Sequence, residues 1–170
     1  MNDISKSFSL IYTIAQKLID MGQVADKLKI YKLMYFVDFA YYFVHKKSIS
    51  GSCYYNCEYG PVPATNQKNY HQNNLLLKGQ QQNLWQLDNT TIVLNLEKAV
   101  ELDGFNLAQT DTIDEIVGQY GRLNSFDLVT LTHQDMPWKM TKNGETIDYE
   151  YVFWRETQEA QVENITSHLI

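Results

Sequence analysis

Residues 24–45 read VADKLKIYKLMYFVDFAYYFVH. This stretch is long enough for about six turns of α-helix, and its second half is apolar on most of its circumference. A helix that is apolar on all sides is normally packed by neighbours on several of them. We therefore predict that residues 24–45 form the central helix of the fold, with the remaining elements around it.

Further helices are predicted before and after this segment. Between residues 4 and 21, apolar side chains recur at the i, i+3, i+4 spacing of an amphipathic helix. Gly22 is placed to end this helix in the left-handed conformation. Later in the chain, Thr112 and Glu115 have the spacing of a capping box for a helix that Gly121 closes.

The last part of the chain also favours helix. Ser125 is a suitable N-cap for a helix over residues 126–134, and Pro137 is expected to end that helix. Residues 147–154 read IDYEYVFW, which fits either a final strand or a docked helix. The sequence leaves that choice open.

A strand is predicted over residues 53–59, where side chains alternate with the period of two that is typical of a strand. Gly60 and Pro61 are expected to stop this strand at a strand-to-helix corner, because Gly permits unusual backbone angles and Pro fixes the next one. Pro63 is then placed to begin the following helix.

The middle of the chain completes the predicted fold. Residues 66–83 contain ten Asn or Gln among eighteen residues, which predicts a mobile surface stretch after a short helix, outside the core. Two short strands about a turn are predicted over residues 84–87 and 90–95. The fold class is therefore α+β, a mostly helical single domain with a small antiparallel β-sheet. We place this domain at residues 1–158 and expect residues 159–170 to be a C-terminal helix or tail.

Charge is divided unevenly along the chain, whose formal net charge is −6. Residues 1–100 carry ten Lys and Arg against seven Asp and Glu, whereas residues 101–170 carry four against thirteen. An acidic half is poorly suited to binding phosphates, so we expect no direct nucleic-acid binding and favour a basic partner. The alternative is a solvated face that only keeps the protein soluble. The acidic surface is expected to include Asp111, Asp114, Glu115 and Asp127.

The sequence has no apolar run of the roughly 20 residues that cross a bilayer. Its first residues also lack the basic region and the small-residue cleavage site of a signal peptide. We therefore expect a cytoplasmic protein without a membrane partner.

Catalytic motifs are absent from the sequence: there is no phosphate loop, dinucleotide fingerprint, HExxH motif or GxSxG elbow. His133 is the best single candidate for acid–base chemistry, in a small hydrolase that would use Cys57 or Asp135 as well. The simpler interpretation is a His in the last turn of a helix, where it favours the negative end of the dipole. Trp138 would then fold back as a hydrophobic plug.

Cys53 and Cys57 are too far apart for a disulfide if they lie in one regular strand, where positions i and i+4 are about 13 Å apart. Together with His45 and His71, the two cysteines could supply the four ligands of a zinc site, but the spacing is weak evidence for such a site. We expect two buried thiols, with no metal and no cofactor.

Three motifs in order carry a resemblance to a known family. They are LKIYKLMYFVDF at 28–39, YGPVP at 59–63 and YGRLNSFDLVTLTHQDMPWK at 120–139. In this order and spacing they resemble the Panacea domain of toxin–antitoxin systems, a SocA-like and often phage-associated domain. The motif positions that we take as candidates for partner binding or for the fold are Lys32, Tyr35, Tyr59, Gly60, Pro61, Val62, Thr132, His133, Pro137 and Trp138.

The resemblance implies a non-enzymatic antitoxin that binds a cognate toxin, commonly a translation inhibitor, and blocks it. Some relatives of this kind act instead as adaptors that deliver the toxin to a cellular protease. A different hypothesis is that the domain is an interaction scaffold of a phage or mobile element that binds a host protein. Tyr35, Tyr41 and Tyr42 would be candidate interface anchors if they were exposed.

Overall fold

The computed structural model describes residues 4–65 and 74–155. Its α-helices are α1 (Ser5–Asp20), α2 (Lys27–His45), α3 (Leu75–Gln81), α4 (Leu107–Tyr120), α5 (Ser125–Gln134) and α6 (Met136–Lys139). Its strands form two antiparallel hairpins, β1 (Cys53–Cys57) with β2 (Gly60–Ala64), and β3 (Trp85–Asp88) with β4 (Thr91–Leu94). Short 3-10 helices span Leu96–Glu101 and Tyr149–Phe153. The predicted α+β class is confirmed, with two small sheets in place of one.

The central helix is confirmed as α2, which packs against α1, α4, α5, β2 and the second 3-10 helix. Its buried side chains point in every direction, and Leu33, Tyr35 and Phe39 are fully enclosed. It begins three residues later than predicted because the Asp26 carboxylate accepts the backbone N–H groups of Leu28 and Lys29 and so caps the helix. This helix is therefore the common support of the elements that carry the three sequence motifs.

The predicted helix over residues 4–21 is confirmed as α1, and Gly22 follows it with a positive φ of 73°. The capping box of α4 was assigned to the wrong residues. Asn106 and Gln109 form it, six residues before the predicted pair. Thr112 lies inside the helix, where its hydroxyl donates to a backbone carbonyl one turn earlier.

Gly121 closes α4 as predicted, but in the right-handed conformation, with φ of −62°. A side chain there would lie 2.4 Å from the backbone oxygen of Val117, so close approach explains this glycine. The N-cap of α5 is Asn124, whose side chain accepts the N–H of Asp127. Ser125, which the sequence predicted as the cap, instead donates its hydroxyl to the capping carboxylate of α2.

The predicted strand-to-helix corner is wrong, because Gly60 and Pro61 begin β2 instead of ending a strand. Cys57 pairs with Gly60 across a turn of two residues, and Pro63 lies inside β2. The prolines face Asn56 and Tyr54 at positions whose backbone groups point away from the partner strand. A missing N–H at such edge positions costs no hydrogen bond of the ladder, which is why a proline-rich segment can form a strand here.

The outer edge of β1 is covered by residues 144–147. The Asn56 N–H donates to the Glu145 carbonyl at 2.9 Å, and the Gly144 N–H donates to the Asn56 carbonyl at 2.7 Å. The N–H of Ile147 donates to the Tyr54 carbonyl at 2.7 Å. From here the chain enters the 3-10 helix that packs on α2, so the docked-helix alternative for residues 147–154 holds.

The Asn- and Gln-rich stretch is only partly a surface segment. Residues 66–73 lie outside the described residues, but α3 follows them and buries Leu75 and Leu76 completely. Trp85 packs beneath this helix and donates its indole N–H to the Leu76 carbonyl at 2.9 Å. The two predicted strands that follow are confirmed as β3 and β4, and the predicted tail at residues 159–170 lies outside the described residues.

Candidate partner-binding surface

The three sequence motifs meet at one point of the fold. Lys32 on α2 is fully buried, and its ammonium donates to the Pro61 carbonyl at 2.8 Å. Gly60, with φ of 92°, lies so close to this side chain that a Cβ atom would be 2.8 Å from Lys32 Cε. The same atom would be 2.5 Å from the hydroxyl of Thr132 on α5. We call Lys32, Gly60, Pro61 and Thr132 the motif junction.

The motif junction holds a buried amine whose hydrogen-bond partner is a neutral carbonyl. Burial lowers the pKa of Lys32 to about 7, and the electrostatic effect of the nearby Cys57 acts in the opposite direction. Thr132 directs its own hydroxyl to the Val129 carbonyl at 2.7 Å, within α5. The contacts therefore give this lysine a structural task, which is to fix the β1–β2 hairpin to the central helix.

A second network joins the first and third motifs directly and includes one residue outside both. The Tyr35 hydroxyl donates to Asp135 Oδ2 at 2.5 Å, and Arg155 grips the same carboxylate with Nε at 2.6 Å and Nη2 at 2.5 Å. Burial and the adjacent carboxylate raise the pKa of Tyr35 well above its usual value. Because Tyr35 is fully buried and Tyr41 nearly so, neither is available as an exposed interface anchor.

His133 lies in the last turn of α5 and stacks on Trp138, with ring centroids 4.2 Å apart and planes 22° apart. The indole therefore folds back onto the helix end, as the simpler interpretation predicted. His133 Nε2 and Trp138 Nε1 are both buried without a hydrogen-bond partner among the described residues. Asp135 is held by Tyr35 and Arg155, so the His–Asp pair of the hydrolase hypothesis is not formed.

Pro137 has a different role from the predicted one. The helix α5 already ends at Gln134, because Asp135 is extended, with ψ of 134°. Pro137 then occupies the first turn of the short helix α6, where its missing N–H is not needed. It is buried there, and the Trp138 carbonyl that follows accepts the side-chain amide of Asn56 at 2.9 Å.

Tyr59 differs from the other motif residues because it is 64% exposed. It lies in the turn of the β1–β2 hairpin, directly before the buried Gly60, and Val62 is half-buried on the following strand. A groove of about 360 Å³ runs beside this turn, lined by Tyr59, Val62 and, from α2, Leu28 and Tyr31, among others. We call this the hairpin groove.

The predicted acidic residues are all exposed. Asp111, Asp114 and Glu115 lie on α4, and Asp127 lies in the first turn of α5. Asp114 forms an ion pair with Lys17 of α1. In residues 4–65 and 74–155, the other three carboxylates have no ion-pair partner, so they contribute uncompensated negative charge to the surface of α4 and α5.

Several polar residues that organise the fold were missed by the sequence analysis. Asp38 is fully buried and accepts the N–H of Ile49, the N–H and hydroxyl of Ser50 and the hydroxyl of Tyr54. Burial raises the pKa of this carboxyl, and the hydrogen bonds oppose that rise. A lone Asp in the apolar run FVDFAYYF was the signal for such a site.

Neither cysteine forms a disulfide, and each is half-buried instead of fully buried as predicted. No group of three or more His, Cys, Asp or Glu side chains suited to a metal ion occurs among residues 4–65 and 74–155. His71, one of the four residues considered as zinc ligands, lies outside that part of the chain. No helix within it is long and apolar enough to span a membrane.

The model of a protein family described as "Antitoxin SocA-like, Panacea domain" matches residues 30–139. This match covers more than half of the chain and contains the motif junction, the hairpin turn and the His133–Trp138 stack. The chain therefore belongs to the SocA-like Panacea family, and its role is of the antitoxin type. Comparisons with curated proteins and with solved structures found no match.

Proposed function

We propose that this protein neutralises a cognate protein toxin by binding it directly, without catalysing a reaction. The observation that carries the proposal is the exposure of Tyr59 on a turn that is fixed from beneath. Lys32 binds the Pro61 carbonyl, and Lys32 and Thr132 pack closely against Gly60, so both hairpin residues are buried, while the ring of Tyr59 stays 64% exposed. An aromatic side chain presented by a rigid turn is a typical interface anchor, because little conformational entropy is lost when it is buried.

The hairpin groove supplies a complementary surface next to this anchor. Leu28, Tyr31 and Val62 give it apolar walls, and Lys27 and Glu58 give it charged edges. An apolar centre within a polar rim is the usual anatomy of a protein–protein interface. We therefore propose that the toxin buries Tyr59 and part of this groove.

The acidic residues are proposed to speed the capture of a basic toxin. Exposed charges contribute mainly to the association rate and to its dependence on salt. Replacing Asp111, Glu115 and Asp127 together by Lys is expected to lower the association rate constant by roughly tenfold at low salt. Equal association rates for this variant and the wild type in stopped-flow or biolayer measurements would contradict the electrostatic part of the proposal.

The first test is co-expression of the chain with the protein encoded next to it, with growth and co-purification as readouts. We expect the neighbour to be toxic alone, to be harmless with the wild-type chain and to co-purify with it. Tyr59→Ala should weaken the complex by roughly tenfold or more, as expected for an anchor residue. Val100→Ala is the matched control, since Val100 is 90% exposed and lies outside the hairpin groove.

A purified system separates direct binding from the other hypotheses. If the neighbour inhibits cell-free translation and the purified chain alone restores it, neutralisation requires no protease. Restoration only in the presence of a cellular protease would replace direct neutralisation by the adaptor role. A neighbour that is harmless and does not bind would contradict the antitoxin proposal and favour a scaffold for a host protein.

A further inference from the structure

A second groove, of about 320 Å³, lies between the C-terminal half of α2 and α4. Ala40, Phe43 and Val44 line it from α2, and Thr112, Glu115 and Ile116 line it from α4, with Arg155 at one end. Both helices contribute residues at the i, i+3, i+4 spacing, so each presents one continuous stripe to the groove. We call this space the α2–α4 groove.

The floor of the α2–α4 groove is apolar and accessible. Val44 is 71% exposed, and Ala40 and Phe43 are half-buried beside it. Phe43 also contacts the ring of Phe153, with centroids 5.6 Å apart, which holds it in place. A groove between two helices with exposed apolar side chains is the geometry that accepts the apolar face of an amphipathic helix.

The charge of the α2–α4 groove selects among amphipathic segments. Arg155 brings no free positive charge, because the Asp135 carboxylate compensates its guanidinium. Glu115 and Asp111, one turn apart on α4, are exposed and unpaired within residues 4–65 and 74–155. The ammonium of Lys46, which follows α2, lies over the Phe153 ring at 5.7 Å. The α4 side of the groove is therefore negative, and it complements a basic side chain.

We propose that the α2–α4 groove binds a basic amphipathic segment of the toxin, with apolar side chains against Phe43 and Val44 and a Lys or Arg facing Glu115 and Asp111. This proposal rests on the proposed function and adds a second contact to the one at Tyr59. Phe43 lies twelve residues after Tyr31 on the same helix, so the two grooves are roughly 18 Å apart along its axis. A toxin that spans both would be held at two separate points.

The test measures binding of the purified product of the neighbouring gene to a set of variants by biolayer interferometry. Val44→Arg and Glu115→Lys are combined to block the apolar floor and reverse the charge of the rim. Val100→Arg combined with Glu97→Lys is the matched control, because both residues are exposed and lie outside the two grooves. We expect the groove variant to bind at least tenfold more weakly, with a smaller dependence on salt, and the control to bind within twofold of the wild type.

The outcomes separate the two proposals. If the groove variant binds like the wild type while Tyr59→Ala binds more weakly, the α2–α4 groove proposal is overturned and the proposed function stands. If the wild-type chain itself does not bind or neutralise the neighbour, the proposed function fails and this proposal fails with it. Circular dichroism of each variant shows whether the fold is retained, and Val44→Arg alone, a change at a side chain that is 71% exposed, still tests the groove if the double variant is misfolded.

Two other occupants of the groove would also overturn the proposal. If the free wild-type chain is a dimer by light scattering and Val44→Arg makes it monomeric, the groove belongs to a second copy. If residues 112–116 are protected from hydrogen exchange in the free chain and removal of residues 156–170 abolishes that protection, the groove belongs to the chain's own C-terminal residues.

Discussion

Gly60→Ala tests whether the motif junction is as tightly packed as its geometry indicates. The substitution places a side chain on a backbone with φ of 92°, which costs a non-glycine residue about 1–2 kcal/mol. Its Cβ atom would also lie 2.5 Å from Thr132 Oγ1 and 2.8 Å from Lys32 Cε, and overpacking of this kind costs about 1–3 kcal/mol. We expect the free energy of unfolding to fall by about 2–5 kcal/mol, the sum of these two costs.

Urea denaturation followed by circular dichroism measures this change. For a domain of this size, it corresponds to a fall of about 4–20 °C in the melting temperature. Gly51→Ala is the matched control, since Gly51 has φ of 73° but nothing within 4 Å of its added Cβ. Only the backbone cost of about 1–2 kcal/mol applies there. Equal destabilisation by the two substitutions would refute the close packing of the motif junction.

Three further predictions concern the buried polar groups. The pKa of Lys32 is about 7 in the folded chain and about 10 in the unfolded chain. Between these pH values the unfolded chain binds one more proton, so the free energy of unfolding should rise by up to about 1.4 kcal/mol per pH unit. Lys32→Met should remove this rise in urea titrations at several pH values, and an unchanged slope would contradict it. Asp135→Ala should lower the free energy of unfolding by about 2–3 kcal/mol. This value is at the low end for a broken ion pair because Arg155 keeps 26% of its side chain exposed. A loss below about 0.5 kcal/mol in urea denaturation would mean that the network is not formed. His133→Phe should keep the stack on Trp138, leave stability within about 1 kcal/mol and preserve growth rescue, whereas loss of rescue in a folded variant would restore a direct role for the imidazole.

Hydrophobic periodicity predicted the elements that are packed along their length. The helix α1 was found because its apolar positions recur at helical spacing over several turns. The central helix was found because it is long and apolar on most of its circumference. Their ends were harder to predict, because several neighbouring polar residues fit each cap equally well. Asn106 with Gln109 and Thr112 with Glu115 both have capping-box spacing, and only the packed structure shows that the first pair begins α4.

The hairpin was misassigned because its explanation lies elsewhere in the sequence. Gly-Pro usually ends a strand, but here Pro61 lies at an edge position and its carbonyl is bound by Lys32, twenty-nine residues earlier. A contact of this range leaves no local signal. The same limit applies to Leu75 and Leu76, which a polar surrounding sequence conceals.

The candidate site was found through motif order, and its internal arrangement was not. The three motifs identified the residues that meet at the motif junction, but nothing in them indicated that Tyr35 is buried and Tyr59 is exposed. Arg155 was missed because it lies outside every motif and acts on Asp135 from twenty residues away. Burial and partner choice of this kind depend on how the elements pack.

The two prolines of β2 restrict how any partner can approach this protein. At Pro61 and Pro63 the backbone nitrogens face outward from the hairpin and carry no hydrogen, and the Pro61 carbonyl is already occupied by Lys32. An incoming strand would find no backbone N–H donor at Pro61 or Pro63, so it could not extend the sheet along this edge. A partner that contacts the hairpin is therefore expected to do so through side chains, and edge-to-edge pairing between copies of the chain is disfavoured by the same feature.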